Sequence, residues 1–280
     1  MLRLVMDTAG DCPAEWLDEY QINLIPINIH FGEKTFLQGV DLDNEGFYQL
    51  AESSGTIPKT SQPTPQQFIQ LYRSIADPGD TILSVHVTAK LSGTYESAVL
   101  AARELQDEYN IIPFDSAAGT TIQGFMLREA RLMEQQGATI DEIIKRLEHI
   151  RENIVLILAL DTLEYARMSG RVKTLQAALA SVLNVKPIAL LRDGILDMVE
   201  KVRTRGRSLD YLVNYVRQQL GERKANVAVI HARDPQAGAK LEAAVRQALN
   251  CEMLVVNELS IGIAANLGPG TVGIAAYPVE

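Results

Sequence analysis

Four short stretches of this chain carry residue types able to bind or transform a small molecule. In Thr60-Ser61-Gln62-Pro63-Thr64-Pro65, hydroxyl side chains precede two prolines. A residue ahead of proline is pushed out of the helical region, so the stretch reads as extended and lined with hydroxyls. The plainer reading is a polar loop in which Thr64 caps a helix beginning at Pro65. The second stretch, Leu91-Ser92-Gly93-Thr94-Tyr95-Glu96, follows a candidate strand and opens a candidate helix. Ser92 stands at or near the N-cap, where free backbone N–H groups and the helix dipole favour an anion. Gly93 lets a ligand come close to the backbone. Ser92 is also the sharpest candidate for a nucleophile, although the chain has no G-x-S-x-G elbow.

The third stretch, Asn266-Leu267-Gly268-Pro269-Gly270, reads as a tight loop and not as a P-loop, since no G-K-[ST] follows it. The fourth is basic. Arg167 and Arg171 flank Met168-Ser169-Gly170, and Arg203, Arg205 and Arg207 follow downstream. Planar guanidinium groups suit phosphate or an acidic partner, against the plain alternative of a solvated face. A glycine inside each basic segment points to loops. Asp7 and Asp11 follow the first candidate strand, where α/β folds often put ligand loops. His30, His86, His149 and His231 lie far apart and form no catalytic set on paper. Cys12 and Cys251 form no CxxC and no Cys/His cluster, so no metal site and no disulfide is implied.

The elements that must position these residues alternate. Short apolar runs at 2–6, 24–30, 81–87, 111–114 and 154–160 read as strands, as do 188–191, 196–203, 227–231, 253–257 and 272–276. Helical patterns cover 43–53, 65–75, 93–109, 120–136 and 140–151, then 207–220 and 235–249. Most strand runs are continuously apolar, as expected for strands covered on both faces. The first half predicts a parallel sheet with crossover helices. In the second half, Asp193-Gly194 reads as a hairpin turn between two strands, which predicts a mixed sheet. The chain therefore divides into an N-terminal α/β domain, 1–152, and a smaller mixed α/β domain, 153–280.

Bulk properties exclude whole classes. The 280 residues carry a net charge of −9, which argues against a general nucleic-acid binder. The longest apolar run, Ile154–Leu160, is far too short to span a bilayer. The first residues lack the pattern of a signal peptide. The expectation is a cytoplasmic protein with no stable membrane insertion.

In this order and spacing the motifs resemble the DegV family, whose members include the fatty-acid-binding subunit of bacterial fatty acid kinase. The matching stretches are Asp7-Thr8-Ala9-Gly10-Asp11, Thr60-Ser61-Gln62-Pro63, Leu91-Ser92-Gly93-Thr94-Tyr95 and Asp115-Ser116. Leu163-Glu164-Tyr165, Ser169-Gly170-Arg171 and Gly268-Pro269-Gly270 complete the set. The resemblance implies a two-domain α/β fold with a long-chain fatty acid in a buried tunnel at the domain interface. It implies no cofactor, no metal and no turnover by this chain alone. The carboxylate would be held at Thr60, Ser61, Ser92, Gly93 and Asn266, and a kinase partner would use ATP to convert it to an acyl phosphate for phospholipid synthesis. Arg171, Arg203 and Arg205 would support the ligand or dock the kinase. Typical members carry a histidine where this chain has Asn266, which can donate a hydrogen bond but cannot carry a proton or positive charge. The alternatives are a lipid hydrolase or acyltransferase using Ser92, and a regulatory binding protein.

Overall fold

A computed structural model describes residues 1–173 and 185–280. The chain forms two compact units, Met1–Arg151 together with Ser260–Gly262, and Glu152–Leu259 together with Ile263–Glu280. A single cut near residue 152 misses the return of residues 260–262 to the first unit.

The first unit runs β1 (Leu2–Asp7), α1 (Ala14–Glu19), β2 (Ile22–Ile25), β3 (Asn28–Phe31), β4 (Lys34–Leu37), α2 (Asn44–Ser54), β5 (Lys59–Ser61) and α3 (Pro65–Ile75). It continues with β6 (Thr81–His86), α4 (Thr94–Glu104), β7 (Asn110–Asp115), α5 (Thr121–Gln135) and α6 (Ile140–Glu152), whose last residue falls in the second unit. A parallel sheet has the order β2-β1-β6-β7. The apolar run 24–30, expected as one strand, is two. Proline lacks the N–H a sheet ladder needs, and Pro26 lies between β2 in the parallel sheet and β3 in a small antiparallel sheet, β4-β3-β5. The α3–α4 face of the parallel sheet is sealed by Val5, Ile82, Phe68, Tyr72, Ala98 and Ala101, all fully buried. Alanines at 98 and 101 let α4 approach closely.

The second unit runs β8 (Val155–Ala159), α7 (Glu164–Ser169), β9 (Val172–Lys173), β10 (Lys186–Arg192), β11 (Ile195–Val202) and α8 (Arg205–Leu220). Next come β12 (Ala225–His231), α9 (Pro235–Ala248), β13 (Cys251–Glu258), α10 (Ile261–Leu267), which begins within the first unit's return segment, and β14 (Val272–Pro278). Among the described residues these strands form a mixed sheet, β13-β12-β14-β8-β10-β11-β9. The expected hairpin is present: β10 and β11 pair antiparallel around Asp193-Gly194. Leu212, Val216 and Leu241 from α8 and α9 pack on Ile157, Val229 and Ile274. Two short helices, α1 and α7, carry too few turns to show a period in the sequence. No helix among the described residues is long and apolar enough to cross a membrane.

Within the first unit, Phe68 joins the α3–α4 face of the parallel sheet to the loop edge after β6, because its ring meets the His86 imidazole edge-on at 5.1 Å between centroids. Phe68→Ala is expected to cost about 3–5 kcal/mol, the range for emptying a sealed aromatic site. Chemical denaturation checks this, and a cost under about 1 kcal/mol would contradict the packing role.

Candidate functional site

In the parallel sheet the chain moves outward from β1 to β2 and returns on the other side at β6. Open α/β sheets bind ligands where the strand order reverses, beyond the carboxyl ends of the strands. That crevice lies between the ends of β1 and β6. The loops after β1, β6 and β7 interlock there: Thr120 N–H donates to Ala9 O at 2.9 Å, Thr88 N–H to Ala118 O at 2.7 Å and Ser116 N–H to His86 O at 3.0 Å.

Asp7 closes β1 and is fully buried. Its carboxylate accepts from the backbone N–H of Ala9 at 3.0 Å and of Val87 at 2.9 Å, and from Gln123 Nε2 at 3.3 Å. His86 Nδ1 lies 3.0 Å from Asp7 Oδ2, and its Nε2 lies 2.7 Å from Ser84 Oγ, which accepts from the Tyr72 hydroxyl at 2.9 Å. With Asp7 as acceptor, the chain runs one way: Tyr72 to Ser84 to His86 to Asp7. Burial pushes the Tyr72 phenol above its ordinary range, which keeps it a donor. Of the histidines, His86 belongs to this buried Asp–His–Ser array as a hydrogen-bonded residue. Its signal in the sequence was faint: Asp7 directly follows the predicted strand 2–6, and His86 is the last residue but one of the predicted strand 81–87. The array is no hydrolase triad, because Ser84, His86 and Asp7 are fully buried and Ser84 lies within a strand.

Asp11 closes a second junction. It is buried, and its Oδ2 accepts from Thr120 Oγ1 at 2.5 Å while Oδ1 accepts from Ser260 N–H at 2.9 Å. Gln38 holds the same segment, accepting from Gly262 N–H at 2.9 Å and donating to Thr8 O at 2.7 Å. Burial raises the Asp11 pKa to about 7, with the Thr120 and Ser260 hydrogen bonds opposing it in part. Sequence alone gives no sign of this latch, since its partners stand 249 and 224 positions apart.

The hydroxyl segment Thr60-Ser61 forms most of β5, whose alternation puts the two side chains on opposite faces. Thr60 pairs with fully buried Ile29 and shares its face. Ser61 turns the other way, where its Oγ lies 2.8 Å from His30 Nε2, and Thr35 Oγ1 lies 2.9 Å from His30 Nδ1. Strand geometry therefore separates Thr60 from Ser61, which the sequence reading had grouped. Thr64 caps α3 with a full capping box involving Gln67. At the start of α4 the N-cap is Gly93, which has no side chain to cap the helix, and Ser92 Oγ accepts from Thr94 N–H at 3.4 Å. Ser92 Oγ lies 2.8 Å from Thr94 Oγ1. The two hydroxyl segments meet: the Gln62 carboxamide lies against Gly93, with Nε2 2.9 Å from where a Cβ would stand.

In the second unit, Asn266 ends up on α10 and not in a loop. Its carbonyl accepts from Ser169 Oγ at 3.3 Å, which joins the Asn266 and Ser169-Gly170-Arg171 motifs. Gly268 and Gly270 adopt positive φ, with Tyr165 and Asp161 packed where side chains would stand. Arg205 is committed to this turn: its Nη2 donates to Gly270 O at 2.6 Å and to Asp161 at 2.9 Å, and it lies 3.6 Å from Asp234. Arg205 and Arg207 are not in a loop but in the first turn of α8. A cation is unfavourable at a helix N-terminus, and the two aspartates offset that cost. Arg171 Nη1 donates to Ser169 O at 2.6 Å, while Arg203, Arg207 and Arg167 are exposed.

A parallel-sheet unit whose strand order reverses between β1 and β6, joined in one chain to a mixed-sheet unit, is the class of protein these features define. The model of the family described as uncharacterised protein, DegV family, matches residues 1–279. The chain belongs to the DegV family. It is 30% identical over 276 residues to a DegV domain-containing protein of Caldanaerobacter subterraneus subsp. tengcongensis, covering 98% of this chain and 97% of the relative. It is 28% identical to protein DegV of Bacillus subtilis over 275 residues, 98% of each chain. Among solved structures, a fatty-acid-binding DegV family protein from Thermus thermophilus matches with a TM-score of 0.90 and 28% identity over 99% of both chains. DegV of Bacillus subtilis, a fatty acid binding protein, matches with a TM-score of 0.86 and 27% identity, again over 99% of both chains.

The Asp11 carboxyl carries a pH dependence whose sign follows from linkage. Its folded pKa of about 7 lies above the ordinary 3.8, so between these values the native state holds a proton that the unfolded chain has released. The contribution is full below about pH 4 and is lost as pH rises through about 7. In Asp11→Asn, which imitates the protonated acid, urea denaturation at pH 5 and pH 8 should show less stability lost on going to pH 8 than in the native chain. An unchanged pH dependence would contradict the latch.

Proposed function

We propose that this protein binds one long-chain fatty acid, holds its carboxylate with the Thr60 and Ser92 hydroxyls and the first turn of α4, and does no chemistry alone. The contact of Gln62 with Gly93 carries the reading, because it brings both hydroxyl segments to the N-terminus of α4, whose N-cap residue is a glycine. Backbone N–H groups and the helix dipole there favour an anion. The binding of fatty acids by the Thermus thermophilus and Bacillus subtilis proteins supports the same reading. Ser61 faces His30 and belongs to the support of β5, not to the head group.

The energetics favour a carrier. Burying about 15 methylenes at ~0.8 kcal/mol each gives on the order of 12 kcal/mol before association and ordering costs. The tail can thus supply affinity, while the head group must be desolvated without an unpaired charge. Neutral donors meet that need and leave no permanent ion pair to break on release.

The resemblance adds a second half to the proposal, in which an ATP-dependent fatty acid kinase docks and phosphorylates the presented carboxylate. Asn266 enters only through the resemblance, as an amide donor where typical members have histidine. Arg171 and Arg203 are the proposed docking residues. Arg205 is withdrawn from that role, since Asp161, Asp234 and Gly270 occupy it. The hydrolase reading is weaker: Ser92 Oγ is engaged by Thr94, and the Asp–His–Ser array is built on sealed Ser84.

Two measurements test these halves. Thr60→Ala with Ser92→Ala should weaken retention of oleate by about tenfold or more, as expected for two lost hydrogen bonds to a charged group, with the fold intact by circular dichroism. Native retention would contradict the head-group assignment. Sustained ester hydrolysis by the native chain that vanishes in Ser92→Ala would favour the hydrolase. For the partner, Arg203→Ala should weaken binding to a fatty acid kinase and reduce the salt dependence of that binding, with fatty-acid content unchanged. Unchanged kinase binding in both Arg203→Ala and Arg171→Ala would contradict docking.

A further inference from the structure

The direction of one hydroxyl hydrogen bond decides what Ser92 offers a ligand. The Ser92 backbone is held, since its N–H donates to Thr88 O at 3.2 Å. The torsion of its O–H is set separately. Ser92 Oγ lies 2.8 Å from Thr94 Oγ1, and it also accepts from Thr94 N–H at 3.4 Å. Each hydroxyl has one proton and two lone pairs, so by chemistry alone either oxygen can donate across this pair. Burial decides between them. Thr94 is the first residue of α4 and is fully buried. Among the described residues its hydroxyl has this one partner. If Ser92 donated, the Thr94 proton would be sealed inside the protein with nothing to accept it, which is costly. If Thr94 donates, its proton is used, and Ser92 Oγ accepts both from the Thr94 hydroxyl and from the Thr94 N–H. The Ser92 proton is then left to point outward, and Ser92 is only half-buried.

We propose that Thr94 makes Ser92 a hydrogen-bond donor, and thereby sets the preference of the site for an ionised carboxylate over an uncharged fatty alcohol. This rests on the head-group reading above and goes beyond it, because it names the residue that selects the ligand's charge state. An ionised carboxylate has acceptors only. It needs a hydroxyl whose proton faces it. Thr94 supplies that orientation before the ligand arrives, so no rotor has to be turned and frozen on binding. The bonds that Ser92 accepts also polarise its O–H and strengthen it as a donor. A fatty alcohol can accept or donate, and so gains little from a fixed direction. Being fully buried, Thr94 acts through Ser92 and is a positioning residue.

The test is displacement of cis-parinaric acid at pH 8 by oleate and by oleyl alcohol, with the melting temperature recorded for every variant. Thr94→Val keeps the side-chain shape and the backbone N–H and removes the hydroxyl. It should weaken oleate binding about threefold to fivefold and leave oleyl alcohol within about twofold of native. Thr94→Ser, which keeps the hydroxyl, should restore oleate binding to within about twofold of native. With Ser92→Ala already in place, Thr94→Val should cause no further loss, because no hydroxyl is left to orient. Unchanged or tighter oleate binding in Thr94→Val would overturn the proposal, since it would mean that Ser92 had been donating to Thr94. Equal losses for oleate and oleyl alcohol, or a further loss on top of Ser92→Ala, would overturn it too and leave Thr94 a structural residue. If Thr94→Val fails to fold, Thr94→Ala carries the same comparison of oleate with oleyl alcohol. Native oleate affinity in Ser92→Ala would sink the head-group role of Ser92 and this proposal together, whereas native affinity in Thr94→Val beside a weakened Ser92→Ala sinks only the role of Thr94.

Discussion

A carboxylate sealed from water persists in a protein interior only where donors replace its hydration, and the loop edge of the first unit depends on how Asp7 meets that demand. Two backbone N–H groups, a glutamine amide and an imidazole converge on it from the loop after β1, the end of β6 and helix α5. Removing any one donor would leave a buried acceptor underserved, so the carboxylate fixes the relative position of three segments at once. The array continues inward through Ser84 to Tyr72 on α3, which couples the loop edge to the packed helical face. The crevice between β1 and β6 therefore has a rigid floor.

That floor gives the proposed carrier its logic. A ligand carboxylate entering such a crevice faces the demand Asp7 faces, yet it must also leave. Hydroxyl groups and helix N-terminal amides satisfy a carboxylate without a buried cation, and so avoid the large penalty of stranding an unpaired charge when the ligand departs. The cations near the second unit's motif loops fit this division. Arg205 is spent on holding the Gly268–Gly270 turn, and Arg203 stays exposed.

Much of this was legible in the sequence, for identifiable reasons. The parallel sheet, the hairpin at Asp193-Gly194 and the helices at 65–75 and 235–249 were readable because periodicity and turn chemistry are local. The Thr64 cap was equally plain. Pro26 was a visible breaker whose consequence, a strand divided between two sheets, depends on tertiary pairing. The split of Thr60 from Ser61 needed the β3–β5 register, which three residues of sequence cannot supply. The Asp11 latch and the Gln62–Gly93 contact are long-range, between residues that carry ordinary polar side chains. The arginines misled because glycine at 206 suggested a loop, while the Thr204 cap had already begun a helix.

The central claim, a fatty acid held by neutral donors in a chain that performs no chemistry on it, is tested most directly by mass analysis of the purified protein under denaturing conditions. The account predicts a native chain mass together with a released long-chain fatty acid at about one per chain. An adduct covalently attached at Ser92, or protein that stays free of fatty acid after incubation with oleate, would contradict it.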